Sequence, residues 1–205
     1  MKKLLAAMFV ALLMVGCGGP DLDDKETLDG IIAEAIDWGK LQERAKEGEK
    51  LAYAPNQETP YTGWVKVMWG NEQVRLLAQY EDGKGDGLFT SWYEKGQKEM
   101  EGNVKDGKPD GFGASWYENG QKKSEGNCKD GKEDGLSTGW YENGDKKCES
   151  SFKGGKLMTS VQWKPNGEKC PVTKLIDGNG VALWYKKDGT EELRQTYKDG
   201  EKVAD

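Results

Sequence analysis

A repeat of twenty-four residues constrains this chain more than any other feature. Gly83, Gly107, Gly131 and Gly155 are each twenty-four apart, and Gly87, Gly111 and Gly135 keep the same step. Trp92, Trp116 and Trp140 do so too, each followed by a tyrosine, Tyr93, Tyr117 and Tyr141. The repeats read DGKGDGLFTSWYEKGQKEMEGNVK, DGKPDGFGASWYENGQKKSEGNCK and DGKEDGLSTGWYENGDKKCESSFK. A weaker repeat precedes them, aligned through Gly63, Met68 and Gln73. After Gly155 the period slips to twenty-three, giving Trp163 and Gly167, and a last degenerate repeat contains Trp184, Tyr185 and Gly189. A unit this short cannot bury a core alone, so stacking on its neighbours must supply the stability.

Two turn signals punctuate each repeat. Asn119-Gly120 and Asn143-Gly144 mark hairpin turns, as does Lys95-Gly96 more weakly, and Asp106-Gly107 and Asp130-Gly131 mark turns between repeats. Gly96, Gly120, Gly144, Gly107 and Gly131 are therefore the turn glycines. In the third repeat Leu136, Thr138 and Trp140 share one face of a strand, and Cys148, Ser150 and Phe152 share one face of the next. A one-residue slip would move a whole set into water. A three-residue Glu-Asn-Gly loop pairs Trp140 with Lys146 and brings the two sets together. Carried along the array, this register puts Trp64, Met68, Leu76, Leu88, Trp92, Met100, Val104, Phe112, Trp116, Cys128, Leu136, Trp140, Cys148 and Phe152 on the less polar face. The other face then holds Tyr93, Tyr117 and Tyr141 with Glu101, Glu125, Glu149, Lys123 and Lys147. The expected fold is mainly β, an elongated antiparallel meander of hairpin repeats with a short irregular or helical N-terminal segment.

Composition agrees with a thin sheet. Apolar residues make up 35% of the chain and charged residues 32%, with 29 glycines, eight tryptophans and eight tyrosines. The net charge is −6, and removal of Lys2 and Lys3 with a leader would make it −8. An acidic chain has no reason to concentrate on a phosphate backbone, so nucleic acid is a poor partner. The chain has no histidine, the commonest general base and zinc ligand.

The N-terminus reads as a leader. Lys2 and Lys3 precede an apolar run from Leu4 to Val15 that is too short to span a membrane stably. Leu13-Met14-Val15-Gly16-Cys17 resembles a bacterial lipobox, with Met14 where leucine is usual. That resemblance implies cleavage before Cys17 and lipid attachment to its sulfur, and several acyl chains anchor a protein stably. Gly18 after the cysteine, rather than aspartate, implies the outer membrane by Gram-negative sorting rules. The expected organisation is a signal peptide at 1–16, a lipidated acidic tether at 17–30, an irregular cap at 31–60, the repeat array at 61–170 and a degenerate cap at 171–205. Within the first cap, Ile31, Ile32, Ala35 and Ile36 fit one face of a short helix, and 41–53 reads equally as an irregular first hairpin.

The pattern W-Y-E-N-G-Q-K, then E-G-N, then D-G-K-x-D-G resembles MORN repeats, most closely the bacterial variant labelled YwqK-type antitoxin. The resemblance covers residues 61–170. It implies protein–protein or membrane-associated scaffolding, and the label implies neutralising a toxin. A lipobox places the chain where a cytoplasmic toxin would not meet it.

No chemistry-bearing constellation stands out. The spacing D-G-x-x-D-G hints at a calcium loop, but Lys108 and Tyr117 stand where an EF-hand needs ligands, and turn chemistry explains the aspartates. Glu101, Glu125 and Glu149 read as a solvated charge ladder. Three cysteines remain beside Cys17. Cys128 and Cys148 lie two strands apart, about 9.5 Å by strand spacing, beyond disulfide reach. Cys170 should point the other way. Trp92, Trp116 and Trp140 read as packing residues. Tyr93, Tyr117 and Tyr141 read either as a recognition row for an extended peptide or glycan, or as cross-strand packing. The expected function is a non-enzymatic, membrane-anchored envelope protein without metal or cofactor, binding a protein or other envelope component through its sheet face. The alternative is an immunity or antitoxin-type inhibitor.

Overall fold

The computed structural model describes residues 19–46 and 48–203. The expected leader and Cys17 lie outside them. The chain divides into two compact bodies, residues 1–34 and 35–205. In the first, helix α1 (Lys25–Glu34) starts where the Asp24 carboxylate accepts the Thr27 N–H at 2.8 Å, the usual aspartate N-cap. The helix therefore begins within the stretch expected to be a tether, and crosses its boundary at residue 30.

The second body is one long sheet with an added hairpin. Its strands are β1 (Ile36–Asp37), β2 (Gln42–Lys46), β3 (Glu49–Tyr53), β4 (Gly63–Met68), β5 (Val74–Glu81), β6 (Lys84–Trp92), β7 (Lys98–Lys105) and β8 (Lys108–Trp116). They continue as β9 (Lys122–Lys129), β10 (Lys132–Trp140), β11 (Lys146–Lys153), β12 (Lys156–Gln162), β13 (Lys174–Ile176), β14 (Asn179–Tyr185), β15 (Glu191–Lys198) and β16 (Glu201–Lys202). Strands β4 to β16 pair in chain order, each antiparallel to the next, and β1 adds in parallel to β4. Strands β2 and β3 form a separate hairpin, and a single 3-10 turn, Trp38–Lys40, leads into it. The expected mainly β meander of hairpins is what the chain forms.

The expected three-residue loops are present. Trp140 pairs with Lys146, and the Tyr141 N–H donates to the Asp145 carbonyl at 2.8 Å across Glu142-Asn143-Gly144. Gly144 closes the loop at φ 90°, a conformation that costs glycine nothing. At the opposite edge, Asp106 and Gly107 have φ 49° and 74° between the cross-strand partners Lys105 and Lys108. Two successive left-handed residues form the two-residue hairpin turn that Asp-Gly favours.

The expected faces hold for the first strand of each repeat and fail for the second. Immediately past each loop sits a β-bulge. Trp116 pairs with Lys122, but Ser115 pairs with Ser124, leaving Lys123 extra. The same shift leaves Glu99 and Lys147 extra in the neighbouring repeats. One extra residue inverts the alternation of everything after it. Trp64, Met68, Leu88, Trp92, Phe112, Trp116, Leu136 and Trp140 therefore share a face, as expected. Leu76, Met100, Val104, Cys128, Cys148 and Phe152 move to the tyrosine face, while Glu101, Glu125 and Glu149 join the tryptophans. The ion pairs show what the bulge achieves. In a regular strand residues three apart point to opposite faces, whereas here Lys122 reaches Glu125 at 2.7 Å. Lys122 lies 5.8 Å from the Trp140 ring centre, and Lys123, on the other face, 5.8 Å from the Tyr117 ring.

Candidate binding surface

Three ladders hold the repeats together, and they decide which side chains remain for a partner. The first is made of the tyrosines. Tyr93 Oη donates to the Trp116 carbonyl at 2.7 Å, Tyr117 Oη to that of Trp140 at 2.8 Å, and Tyr141 Oη to that of Trp163 at 2.8 Å. Trp69 stands one repeat before Tyr93 and continues the series, its Nε1–H donating to the Trp92 carbonyl at 3.0 Å. Each hydroxyl ties its own repeat to the next. Tyr141 is buried, 5% exposed, while Tyr93 and Tyr117 are half-buried. Burial, joined by the nearby Cys148, Glu192 and Tyr117, pushes the Tyr141 hydroxyl up to about 12. The row expected either to recognise a ligand or to pack across strands spends its hydroxyls on bonds between repeats.

The second ladder lies on the tryptophan face. Lys98, Lys122 and Lys146 lie over the rings of Trp116, Trp140 and Trp163, at 5.6, 5.8 and 5.3 Å from the ring centres. Each lysine also pairs with the glutamate three residues on, Glu101, Glu125 or Glu149, at 2.8, 2.7 and 2.6 Å. Trp92 is 6% exposed, and Trp116 and Trp140 are half-buried. The glutamate row is paired with lysine ammoniums along a solvated surface.

The third ladder runs along the edge of the inter-repeat turns. The N–H groups of Gly107, Gly131 and Gly155 donate to the carbonyls of Gly85, Pro109 and Glu133 at 2.7, 2.9 and 2.8 Å. Beside them, the Asp110 carboxylate accepts the Asp130 N–H at 3.1 Å, and Asp134 accepts the Gly154 N–H at 2.9 Å. Both aspartates of D-G-x-x-D-G are accounted for by turn geometry. Among the described residues, no group of three or more Cys, Asp or Glu is placed to hold a metal.

What remains open is a row that the sequence placed on the right face but did not single out. Leu88, Phe112 and Leu136 stand twenty-four apart on the tryptophan face, and Phe112 is 47% and Leu136 73% exposed. The signal for it was available, because these three positions carry large apolar residues at the repeat step. On the tyrosine face, Gly102, Gly113 and Gly126 pair across β7, β8 and β9. A groove of about 280 Å³ follows them, edged by Phe89, Met100, Cys128 and Glu133.

Cys128, Cys148 and Cys170 are free. Burial pushes the Cys128 and Cys148 thiols up. Cys170 is 4% exposed and accepts the Tyr185 hydroxyl at 3.0 Å. Burial raises its thiol, but hydrogen bonds from Thr173 and Tyr185 outweigh that and leave it below its ordinary value.

Comparison with models of known protein families and with curated proteins finds no match.

Proposed function

We propose that this chain is a non-enzymatic repeat protein of the bacterial envelope, tethered by lipid at Cys17, that binds a protein partner or other envelope component through its sheet. The observation that carries the reading is the Leu88–Phe112–Leu136 row, exposed at Phe112 and Leu136, on a face where Lys98, Lys122 and Lys146 pair with Glu101, Glu125 and Glu149. Apolar side chains at fixed spacing on a stiff ladder suit an extended, repetitive contact. The tyrosine row is the framework behind that surface rather than the surface itself. The lipobox-like Leu13–Cys17 and the MORN-like repeats support the address and the scaffold role.

Crosslinking in intact cells tests the reading, with pull-down through a C-terminal tag. The wild type, a Cys17→Ser form and a Phe112→Ser/Leu136→Ser form are compared. A specific envelope component captured by the wild type and lost from both variants supports it. Equal capture by the Phe112→Ser/Leu136→Ser form would mean that the partner binds elsewhere than this sheet face. Tight capture of one toxin-like protein by the anchored and unanchored chains alike would replace it with an inhibitor role.

A further inference from the structure

A second concavity lies away from the Phe112–Leu136 row, where the β2–β3 hairpin meets the first inter-repeat turn. Its volume is about 650 Å³, within the range of small-molecule sites. The hairpin is fixed there by backbone bonds, the Ala52 N–H donating to the Gly83 carbonyl at 2.9 Å and the Tyr61 N–H to that of Ala52 at 2.8 Å. A Cβ at Gly83 would stand 2.9 Å from both Ala52 O and Leu51 Cβ, so only glycine lets the hairpin sit this close. Gly85 and Gly107 continue the floor, and a Cβ on Gly107 would meet nothing within 4 Å.

The walls combine two chemistries. Trp38 and Tyr80 form one side, ring centres 5.8 Å apart and planes tilted by 55°, with Trp38 44% exposed. Opposite charges line the remainder. Lys84 Nζ reaches Glu49 at 2.7 Å and Asp106 at 3.9 Å, Lys50 lies 3.9 Å from Glu43, and Lys108 is the third ammonium. Three carboxylates face three ammoniums, so the groove has no net charge to attract an anion or a cation. The density of charged groups disfavours a purely apolar ligand. A neutral molecule with a flat C–H face and a rim of hydroxyls uses every part. The rings take its apolar face, the carboxylates accept its O–H groups, and the ammoniums donate to its oxygens.

We propose that this groove binds a neutral oligosaccharide. The proposal deepens the envelope-binding reading but occupies a separate place, so either can fail without the other. Sequence patterning did not reveal it, because Trp38, Glu43 and Glu49 fall outside the repeat.

The test titrates the full chain with two neutral tetrasaccharides, of N-acetylglucosamine and of glucose, reading tryptophan fluorescence and calorimetric heat. The variants are Trp38→Ala and Gly85→Gln. Trp38 is half-exposed, and a Cβ at Gly85 meets Val104 Cγ2 at an ordinary 3.7 Å, so neither change threatens the fold. The expected result is saturable binding of at least one tetrasaccharide, insensitive to added salt. Each variant should weaken it about tenfold or more, as truncating or blocking a central aromatic contact does, with the melting temperature unchanged. Absence of binding to both sugars overturns the proposal. So does binding that neither variant alters, or a preference for a lysine-rich peptide that salt abolishes. None of these outcomes bears on the Phe112–Leu136 row, which crosslinking tests.

Discussion

The C-terminal strands and the middle of the array are held by different means. In β12–β14, Leu157, Leu175, Ala182 and Leu183 are between 0% and 5% exposed, and Tyr197 of β15, Phe152 and Trp184 close over Leu157, Leu175 and Ala182. In β7–β10, the one buried apolar side chain among the described residues is Ala114. The middle repeats instead carry tyrosine-to-carbonyl bonds, lysines over aromatic rings and stacked turns at every step. A regular repeat thus substitutes recurring polar contacts for a core, and a conventional apolar cluster closes the end where the period breaks.

The largest effect that would sharpen this contrast is a cavity in the second terminal cluster, where Leu183 packs with Cys170 and Tyr185. Leu183→Ala removes a side chain that is 1% exposed and should cost about 2–5 kcal/mol. Leu136→Ala in the middle should stay within about 0.5 kcal/mol. Urea unfolding of both variants measures the difference, and equal losses would erase the contrast.

Next comes the tyrosine ladder. Tyr141→Phe should cost about 1–2 kcal/mol, because the part-buried Trp163 carbonyl loses its donor from a side chain that is itself 5% exposed. Tyr93→Phe should cost less, since water reaches that half-buried site.

The ladder also carries a pH signature. Folding raises the Tyr141 hydroxyl from its ordinary value of 10.0 to about 12, and Tyr185 in the terminal region moves to about 12 as well. A raised value favours the neutral phenol in the folded chain. This contribution is whole below pH 10 and is lost as pH rises through about 12. Circular dichroism across that window should show stability falling, with a shallower fall in Tyr141→Phe.

The smallest effect belongs to the surface ion pairs. Glu125→Gln leaves Lys122 over the Trp140 ring and should change stability by less than about 0.5 kcal/mol. A loss above 2 kcal/mol would mean the glutamate row bears the structure.

The sequence made the period, the turns and the loop length legible, because glycine, asparagine and aspartate positions are dictated by backbone geometry. It also placed Trp64, Met68, Leu88, Trp92, Phe112, Trp116, Leu136 and Trp140 on their observed face. The bulge was hidden. Strict alternation is the simplest continuation of a strand, and the residue that breaks it, Glu99, Lys123 or Lys147, is a charged residue following a lysine, with nothing in its type to mark a bulge. The tyrosine hydroxyls were equally illegible, since their acceptors are backbone carbonyls about one repeat away.

Residue-resolved hydrogen exchange on the wild type and Tyr117→Phe shows whether the tyrosine ladder holds the middle repeats. Losing the Tyr117–Trp140 bond should lower amide protection in β8–β11 and leave β14 and β15 as protected as before. Unchanged protection in the middle, or an equal loss in β14 and β15, would contradict that role of the ladder.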